Sequence, residues 1–364
     1  MSFLRFAPTV CAIGEDYEIL ISLKTAGLCL VNTGGQEYYE NNAGVLPTER
    51  RFLKIRIPQK LLDAEKKYTI VFRKCETRVS YGSHPEEKEY ETFDFNPVEK
   101  TDNINIYLIS DVHYRFAFAS TAAEFFGDNT DLFVINGDIG ETETEEHYFE
   151  VLGFLGKIGK GKIPMIISRG NHDCRGKQAE LYPYFFPSEN GKPYYTFSVG
   201  CISGLVLDCG EDKWDSHEEY GGVNAFERYR RQETAFIRNA ILKDNKYKFA
   251  LTHICPVCPI VPLDECGGIF DIERELFAEW NGYIEAKDID FMLCGHLHRS
   301  FVLEKDDERN TVNHYYPVII GGEPRPDGYA ATAITLKGNG AEIKWTDENN
   351  KIFNEKEISF RNIK

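Results

Sequence analysis

Hydrophobic and polar residues change rhythm near residue 100. Before that point, β-branched, aromatic and alternating residues recur in short stretches at 17–23, 28–32, 52–57, 68–73 and 90–95. Turn-formers such as Thr33-Gly34-Gly35 and Asn41-Asn42-Ala43-Gly44 separate them. Short strands at this spacing predict a small antiparallel β-domain over residues 1–100, compatible with a sandwich. The polar run Glu99-Lys100-Thr101-Asp102 marks the junction. Over residues 101–364, apolar strands alternate with stretches whose apolar residues recur every three or four positions, which predicts a layered α/β domain. Helices are expected at 119–126, 143–155, 226–242 and 272–285. The tail, 329–336 and 341–345 around Gly338-Asn339-Gly340, reads as a hairpin that extends the sheet.

The residues at the end of each buried strand are more informative than the strands themselves. The run 104–110 ends in Asp111-Val112-His113, and 132–136 ends in Gly137-Asp138. The run 163–168 leads to Arg169-Gly170-Asn171-His172-Asp173, 247–252 to His253, and 289–294 to Gly295-His296-Leu297-His298. In α/β proteins ligands bind outside the carboxyl ends of the strands, so these five ends are expected to converge. Five of the nine histidines sit there. A polar residue where a strand leaves the core is ordinary, which accounts for one or two such ends. Five ends that all carry Asp, His or Asn, three with glycine beside them, point to metal coordination. Alternate residues of an extended segment face one side, so Asp111 and His113 would reach one ion. His296 and His298 repeat that spacing. Glycines 137, 170 and 295 permit tight turns and close backbone approach.

Taken in this order, the blocks Asp-x-His, Gly-Asp, Gly-Asn-His-Asp, a lone His and Gly-His-x-His resemble the signature of the calcineurin-like metallophosphoesterase superfamily. The resemblance implies an α/β (α+β) fold, a four-layer α/β/β/α sandwich preceded by the small antiparallel β-domain. It implies a metal-dependent hydrolase of phosphate mono- or diesters, with a dinuclear centre and a bridging hydroxide as nucleophile. One metal would be held by Asp111, His113 and His298, the other by Asn171, His253 and His296, with Asp138 bridging. His172 is implied as proton donor to the leaving group or transition-state stabiliser, not as a ligand. The ions would be divalent or trivalent transition metals; a nitrogen and oxygen donor set suits Fe, Mn, Zn, Co or Ni.

Glu141 stands three residues after Asp138, where purple acid phosphatases carry tyrosine and protein phosphatases an aspartate that orients the catalytic histidine. Glu141 is the candidate for that second role, or it simply opens the acidic head of the next helix. Thr142 comes next, where the protein phosphatase branch has a phosphate-gripping arginine. The stretch 186–195 resembles bacterial single-chain members whose front domain is fibronectin type III-like. Here that likeness rests on strand spacing and the run 61–72.

A formal net charge of −16 repels a nucleic-acid backbone, so a nuclease on the same scaffold ranks below an enzyme of small-molecule phosphate esters. Two divalent ions outweigh the charge of two aspartates, so the site would still attract an anion. A non-enzymatic binding module of the same fold is the other alternative; such proteins usually lack a ligand, and this chain lacks none. No basic start with a sustained apolar stretch is present, and no apolar run reaches the roughly 18 residues of a membrane span. The ten cysteines are scattered, several in apolar runs, and predict reduced, buried thiols in a cytoplasmic protein. Cys255-Pro256-Val257-Cys258 has no second pair at zinc-finger spacing and reads as a loop beside the site. Arg169, Arg299 and Arg325 are candidates for substrate contact, and 210–226 and 256–270 for walls of the cleft.

Overall fold

The computed structural model describes residues 2–40, 43–258 and 272–360. Two sheets face one another. The first has ten strands, nine of them in the spatial order Ile352–Ser359, Gly340–Asp347, Gly328–Lys337, Ile104–Ile109, Leu132–Asn136, Pro164–Ser168, Thr9–Ile13, Asp16–Ser22 and Phe52–Pro58. Glu323–Arg325 pairs beside Gly328–Lys337. Its middle is parallel, with Ile135 between Ile109 and Ile167. The second sheet runs Tyr195–Val199, Ile202–Val206, Tyr247–Leu251, Phe291–Cys294, Val318–Ile320 and Phe301–Leu303.

Because successive side chains of a strand point to opposite faces, each central strand serves two cores. Ile104, Ile106, Leu108, Val134 and Ile166 pack towards the second sheet and meet Val206, Phe249, Leu251, Phe291 and Leu293. The intervening Tyr107, Ile109, Phe133, Ile135, Met165 and Ile167 meet residues of the helices Phe116–Ala122 and Glu145–Gly159. On the far side, Leu205, Ala250 and Met292 meet Ile237, Leu276 and Trp280 of the helices Phe226–Asn239 and Arg274–Glu285. The result is the four-layer α/β/β/α sandwich. Three of these helices fall close to the expected 143–155, 226–242 and 272–285, while the first, expected at 119–126, starts three residues earlier and ends at Ala122. The tail hairpin, Gly328–Lys337 with Gly340–Asp347, extends the first sheet through Ile104–Ile109 as expected.

The first hundred residues are β-rich, but the division expected at residue 100 does not separate the sheets. Thr9–Ile13 lies parallel to Pro164–Ser168, and Asp16–Ser22 and Phe52–Pro58 continue from it to the edge of the first sheet. Every residue of Thr9–Ile13 is buried, the mark of a strand covered on both faces. Gly27–Thr33, Gln36–Tyr38, Lys67–Val79, Gly82–Pro85 and Glu89–Asp94 form a separate five-stranded antiparallel sheet. Its Val31, Ile70 and Phe72 belong to the same hydrophobic cluster as Ile104 and Ile106, so it shares the central core. The run 61–72 is also partly helical, since Gln59–Glu65 is a helix closed by Lys66 in the left-handed conformation. Among the described residues no helix is long and apolar enough to cross a membrane.

Candidate metal centre

The five strand ends meet at the seam between the sheets. Asp111, Asp138 and Asn171 lie just past strands of the first sheet; His253, His296 and His298 lie just past strands of the second. Two groups whose donor atoms all lie within 4.8 Å of one another, Asp111–His113–His298 and Asp138–His253–His296, sit side by side. His298 Nε2 is 3.3 Å from Asp111 Oδ1 and 3.2 Å from His113 Nε2. His253 Nε2 is 3.2 Å from Asp138 Oδ2, and the same oxygen is 3.9 Å from His113 Nε2, so Asp138 stands between the two groups.

The backbone does not deliver these side chains by strand alternation. Asp111 and His113 have φ of +55° and +44°, and Asp138, His296 and His298 have +55°, +67° and +50°. Left-handed φ at a non-glycine residue costs about 1–3 kcal/mol in the less favourable cases and persists where the surroundings over-determine it. Each ligand pair is therefore set by a tight turn and not by an extended Asp-x-His or His-x-His segment. The glycines work as the sequence suggested. A Cβ on Gly137 (φ +73°) would lie 2.4 Å from Gly170 N, one on Gly170 2.1 Å from Asp138 Oδ1, and one on Gly295 2.0 Å from Ser110 Oγ.

Surrounding groups hold the donors in place. His253 Nδ1 lies 2.6 Å from the Asn136 carbonyl oxygen, which fixes a proton on Nδ1 and turns Nε2 towards Asp138. The Ser110 hydroxyl donates to Asp111 Oδ2, and the His296 backbone N–H donates to the same oxygen at 3.0 Å. Asp173 accepts the backbone N–H groups of Asp138 and Gly170. Asn171 lies in the same cluster. Its amide lies 2.9 Å from His296 Nδ1 and also beside His253 Nε2 and Asp138 Oδ2. Protein hydrogen bonding alone favours the opposite amide orientation. Asp138, His253 and His296 bring oxygen and nitrogen donors within 4.8 Å of one another with the Asn171 amide beside them, so the donor set fits a metal ion.

Without an ion, the buried charges of the cluster answer one another. Burial opposes charge on Asp138, but the facing His253, His172 and His113 hold its carboxyl well below the usual range. Burial opposes charge on His253, but Asp138 and Asp111 outweigh it and lift the imidazole to about 10. Burial and the neighbouring His253 push His296 down to about 4. Burial, then the adjacent Asp138, raises Asp173 to about 7.

His172 stands at the cleft side of this cluster. Its backbone N–H donates to Asp138 Oδ1 at 2.8 Å, and its ring packs edge-on against His113. Its Nε2 is 4.0 Å from Asp138 Oδ2, and its side chain is 45% exposed, against 1% for Asp138. Proximity groups it with His113 and Asp138, and its exposure is like that of His298, whose side chain is 47% exposed. Glu141 does not meet it. Among the described residues no hydrogen bond or ion pair joins the two, and Glu141 is exposed, with its backbone N–H bonded to the Tyr114 hydroxyl. The chain turns outward after Gly140, which carries the carboxylate away from the cluster. The neighbour that reaches His172 Nε2 is Arg175, at 3.4 Å. Sequence reasoning favours Arg169 and misses Arg175, although Arg175 closes the same motif.

Arg169 is committed elsewhere, to a buried two-pronged pair with Asp208. Arg325 pairs with Glu323 and covers Phe353, while Arg299 is exposed. The 210–226 wall reaches the site through Asp212, 4.0 Å from His296 Nε2. Of the other expected wall, residues 259–270 lie outside the described residues. Cys255 and Cys258 are buried in the apolar cluster that includes Cys294.

A four-layer sandwich with an Asp, Asn and His cluster at the seam of its sheets defines a metal-site α/β protein. Residues 104–300, more than half of the chain, match the sequence profile of the calcineurin-like phosphoesterases, and the chain belongs to that family. It is 24% identical over 205 residues to a probable cyclic nucleotide phosphodiesterase of Fibrobacter succinogenes, a match over 55% of this chain and 70% of that protein. The fold is similar to that of the purple acid phosphatase PPD1 of yellow lupin, Lupinus luteus. That likeness has a TM-score of 0.63 and 11% identity, and covers 97% of this chain and 74% of the other. It is also similar to PhoD, with a TM-score of 0.57 and 10% identity over 100% of this chain and 93% of the other.

Proposed function

We propose that the chain hydrolyses small-molecule phosphate esters with two bound transition-metal ions. The observation that carries this is the position of Asp138 between two donor groups. Asp111, His113 and His298 would hold one ion on one side of it, and Asn171, His253 and His296 the other. When bound, such ions lower the pKa of coordinated water and neutralise charge on the transferring phosphoryl group. The residues do the rest. Asp138 and its neighbours keep the donors aimed at one point, while Asp173 and Asn136 fix the Asp138 and His253 geometry. His172, tied to Asp138 through its backbone and turned to the cleft, gives a proton to the leaving oxygen. A diester is the first substrate to try, because the relative from Fibrobacter succinogenes is named for one; the net charge of −16 argues against nucleic acid.

The test is elemental analysis of protein purified without added metal or chelator, paired with hydrolysis of an aryl phosphate monoester and diester. About two transition-metal ions per chain, and activity lost on chelation, are expected. Less than one ion per chain, with no activity after loading with manganese, zinc or iron, would overturn the reading and leave a binding module. His172→Ala should keep its ions and lose turnover by about 10²–10⁴-fold; unchanged turnover would remove His172 from the reaction.

A further inference from the structure

Arg175 directly follows the short turn His172–Cys174. Its Nε and Nη2 each lie 2.8 Å from a carboxylate oxygen of Glu211, a two-pronged pair that sets the plane of the guanidinium. Glu211 is fully buried and also accepts the Tyr220 hydroxyl at 3.0 Å. Asp212 lies 3.4 Å from Nη2 and is itself held by Tyr220 and Lys213, both at 2.9 Å. The Arg175 carbonyl accepts the Thr142 hydroxyl, so both ends of the residue are pinned.

One edge of the guanidinium is thus locked into the 210–226 wall. The other edge presents Nη1, 3.4 Å from His172 Nε2, with the two side chains 35% and 45% exposed. At 3.4 Å from one another, Arg175 Nη1 and His172 Nε2 face the same open side of the cluster. A phosphate oxygen is an acceptor that both could reach. Anchoring the turn would explain the contact with Glu211. It does not explain a second edge turned to the cleft beside His172.

We propose that Arg175 binds a non-bridging phosphate oxygen of the substrate, and that Glu211 is its positioning residue. The proposal rests on the phosphoesterase reading. Glu211 offsets the charge of Arg175, so recognition comes from the direction of the N–H groups and serves monoesters and diesters alike.

The experiment uses the manganese-loaded full chain, with inorganic phosphate as the probe in titration calorimetry and both aryl phosphate esters as substrates. Arg175→Ala is expected to keep the wild-type ion content, bind phosphate about tenfold weaker or worse, and lose about 10²-fold in kcat/KM on both esters. Arg175→Lys, which keeps the charge without the fork, is expected to restore little, and it provides a second folded variant if alanine disturbs the turn. Glu211→Ala should weaken phosphate binding alone but add nothing to Arg175→Ala, the coupling expected of a positioning residue. Unchanged phosphate affinity in Arg175→Ala would overturn the proposal. So would loss of metal ions, which would make Arg175 a support for Asn171. If the wild type binds phosphate in an Arg175-dependent way but cleaves neither ester, the phosphate site stands and the hydrolase reading falls.

Discussion

Gly170→Ala tests the metal centre with a single added carbon. Gly170 lies in the turn behind Asp138, and its new Cβ would sit 2.1 Å from Asp138 Oδ1, 2.5 Å from Asp138 N and 2.9 Å from Asp138 Cγ. Ordinary contact begins near 3.4 Å, so the carboxylate or its backbone must retreat by about 1 Å. Neither can move freely. Asp138 Oδ1 accepts the His172 N–H, and Asp138 N–H donates to Asp173. Overpacking of this kind costs about 1–3 kcal/mol of stability. The loss in ion affinity is expected to be at least 10–100-fold, the range seen when a partner that only orients a ligand is removed. Two measurements separate these effects. Melting in chelator reports the steric cost, and the gain in melting temperature on adding manganese reports ion binding. Gly282→Ala is the matched control. It lies inside the helix Arg274–Glu285 with open space where the Cβ would go, and should gain up to about 1 kcal/mol. A Gly170→Ala protein that binds manganese with wild-type stoichiometry and affinity would refute the placement of Asp138 between two ions.

Other parts of the molecule carry three further predictions. Arg230 and Glu273 pair with side chains 0% and 1% exposed, so Glu273→Ala should cost about 3–5 kcal/mol by leaving a buried guanidinium without its counter-charge. An unfolding free energy from urea titration that falls by less than about 1 kcal/mol would contradict that. Burial raises the Asp290 carboxyl to about 6, although it accepts the Lys248 N–H. The folded state therefore holds this proton more tightly than the unfolded chain, and the stability it contributes is present below about pH 4 and lost as pH rises through 6. Asp290→Asn keeps an acceptor for Lys248 and should gain in melting temperature relative to the wild type between pH 4.5 and 7.5; a flat difference would remove the carboxyl from the pH profile. Because Glu141 points to solvent, Glu141→Gln should change kcat by less than about threefold, and a loss comparable to that of His172→Ala would restore its orienting role.

Much of the fold was readable in the chain because the relevant signals are local. Strands such as 132–136 are apolar throughout and end abruptly in Gly137-Asp138, and helices such as 145–159 repeat at three and four. Thr9–Ile13 was not readable. Five residues of mixed character, Thr-Val-Cys-Ala-Ile, acquire their meaning only from Pro164–Ser168, some 150 residues away, with which they pair. The boundary at residue 100 failed for the same reason: a change of texture along the chain does not record which sheet a strand joins. At the site, residue identity was informative and conformation was not. Asp-x-His suggested an extended segment, while Asp111 and His113 both take left-handed φ, which no local preference of Asp-Val-His announces. Arg175 was visible as a letter, but its importance depends on Glu211 and Tyr220, which approach it through the tertiary fold.

The arrangement of the donors has a mechanical consequence. Asp111, Asp138 and Asn171 ride on one sheet and His253, His296 and His298 on the other, so every donor-to-donor distance across the site is also a distance between sheets. That spacing is set by the side chains packed between them, among them Leu108, Val134 and Ile166 against Val206, Leu251 and Leu293. Closely packed interiors resist small displacements, so the central core holds the cluster open against the attraction of its buried carboxylates for the facing imidazoles. The turns hold it from the other direction, with left-handed residues and three glycines that leave no room for a Cβ. Ions bound at the seam would join the two sheets at their carboxyl ends. Packing and coordination are therefore coupled here, and a large-to-small change at Leu293 should weaken ion binding without touching a ligand.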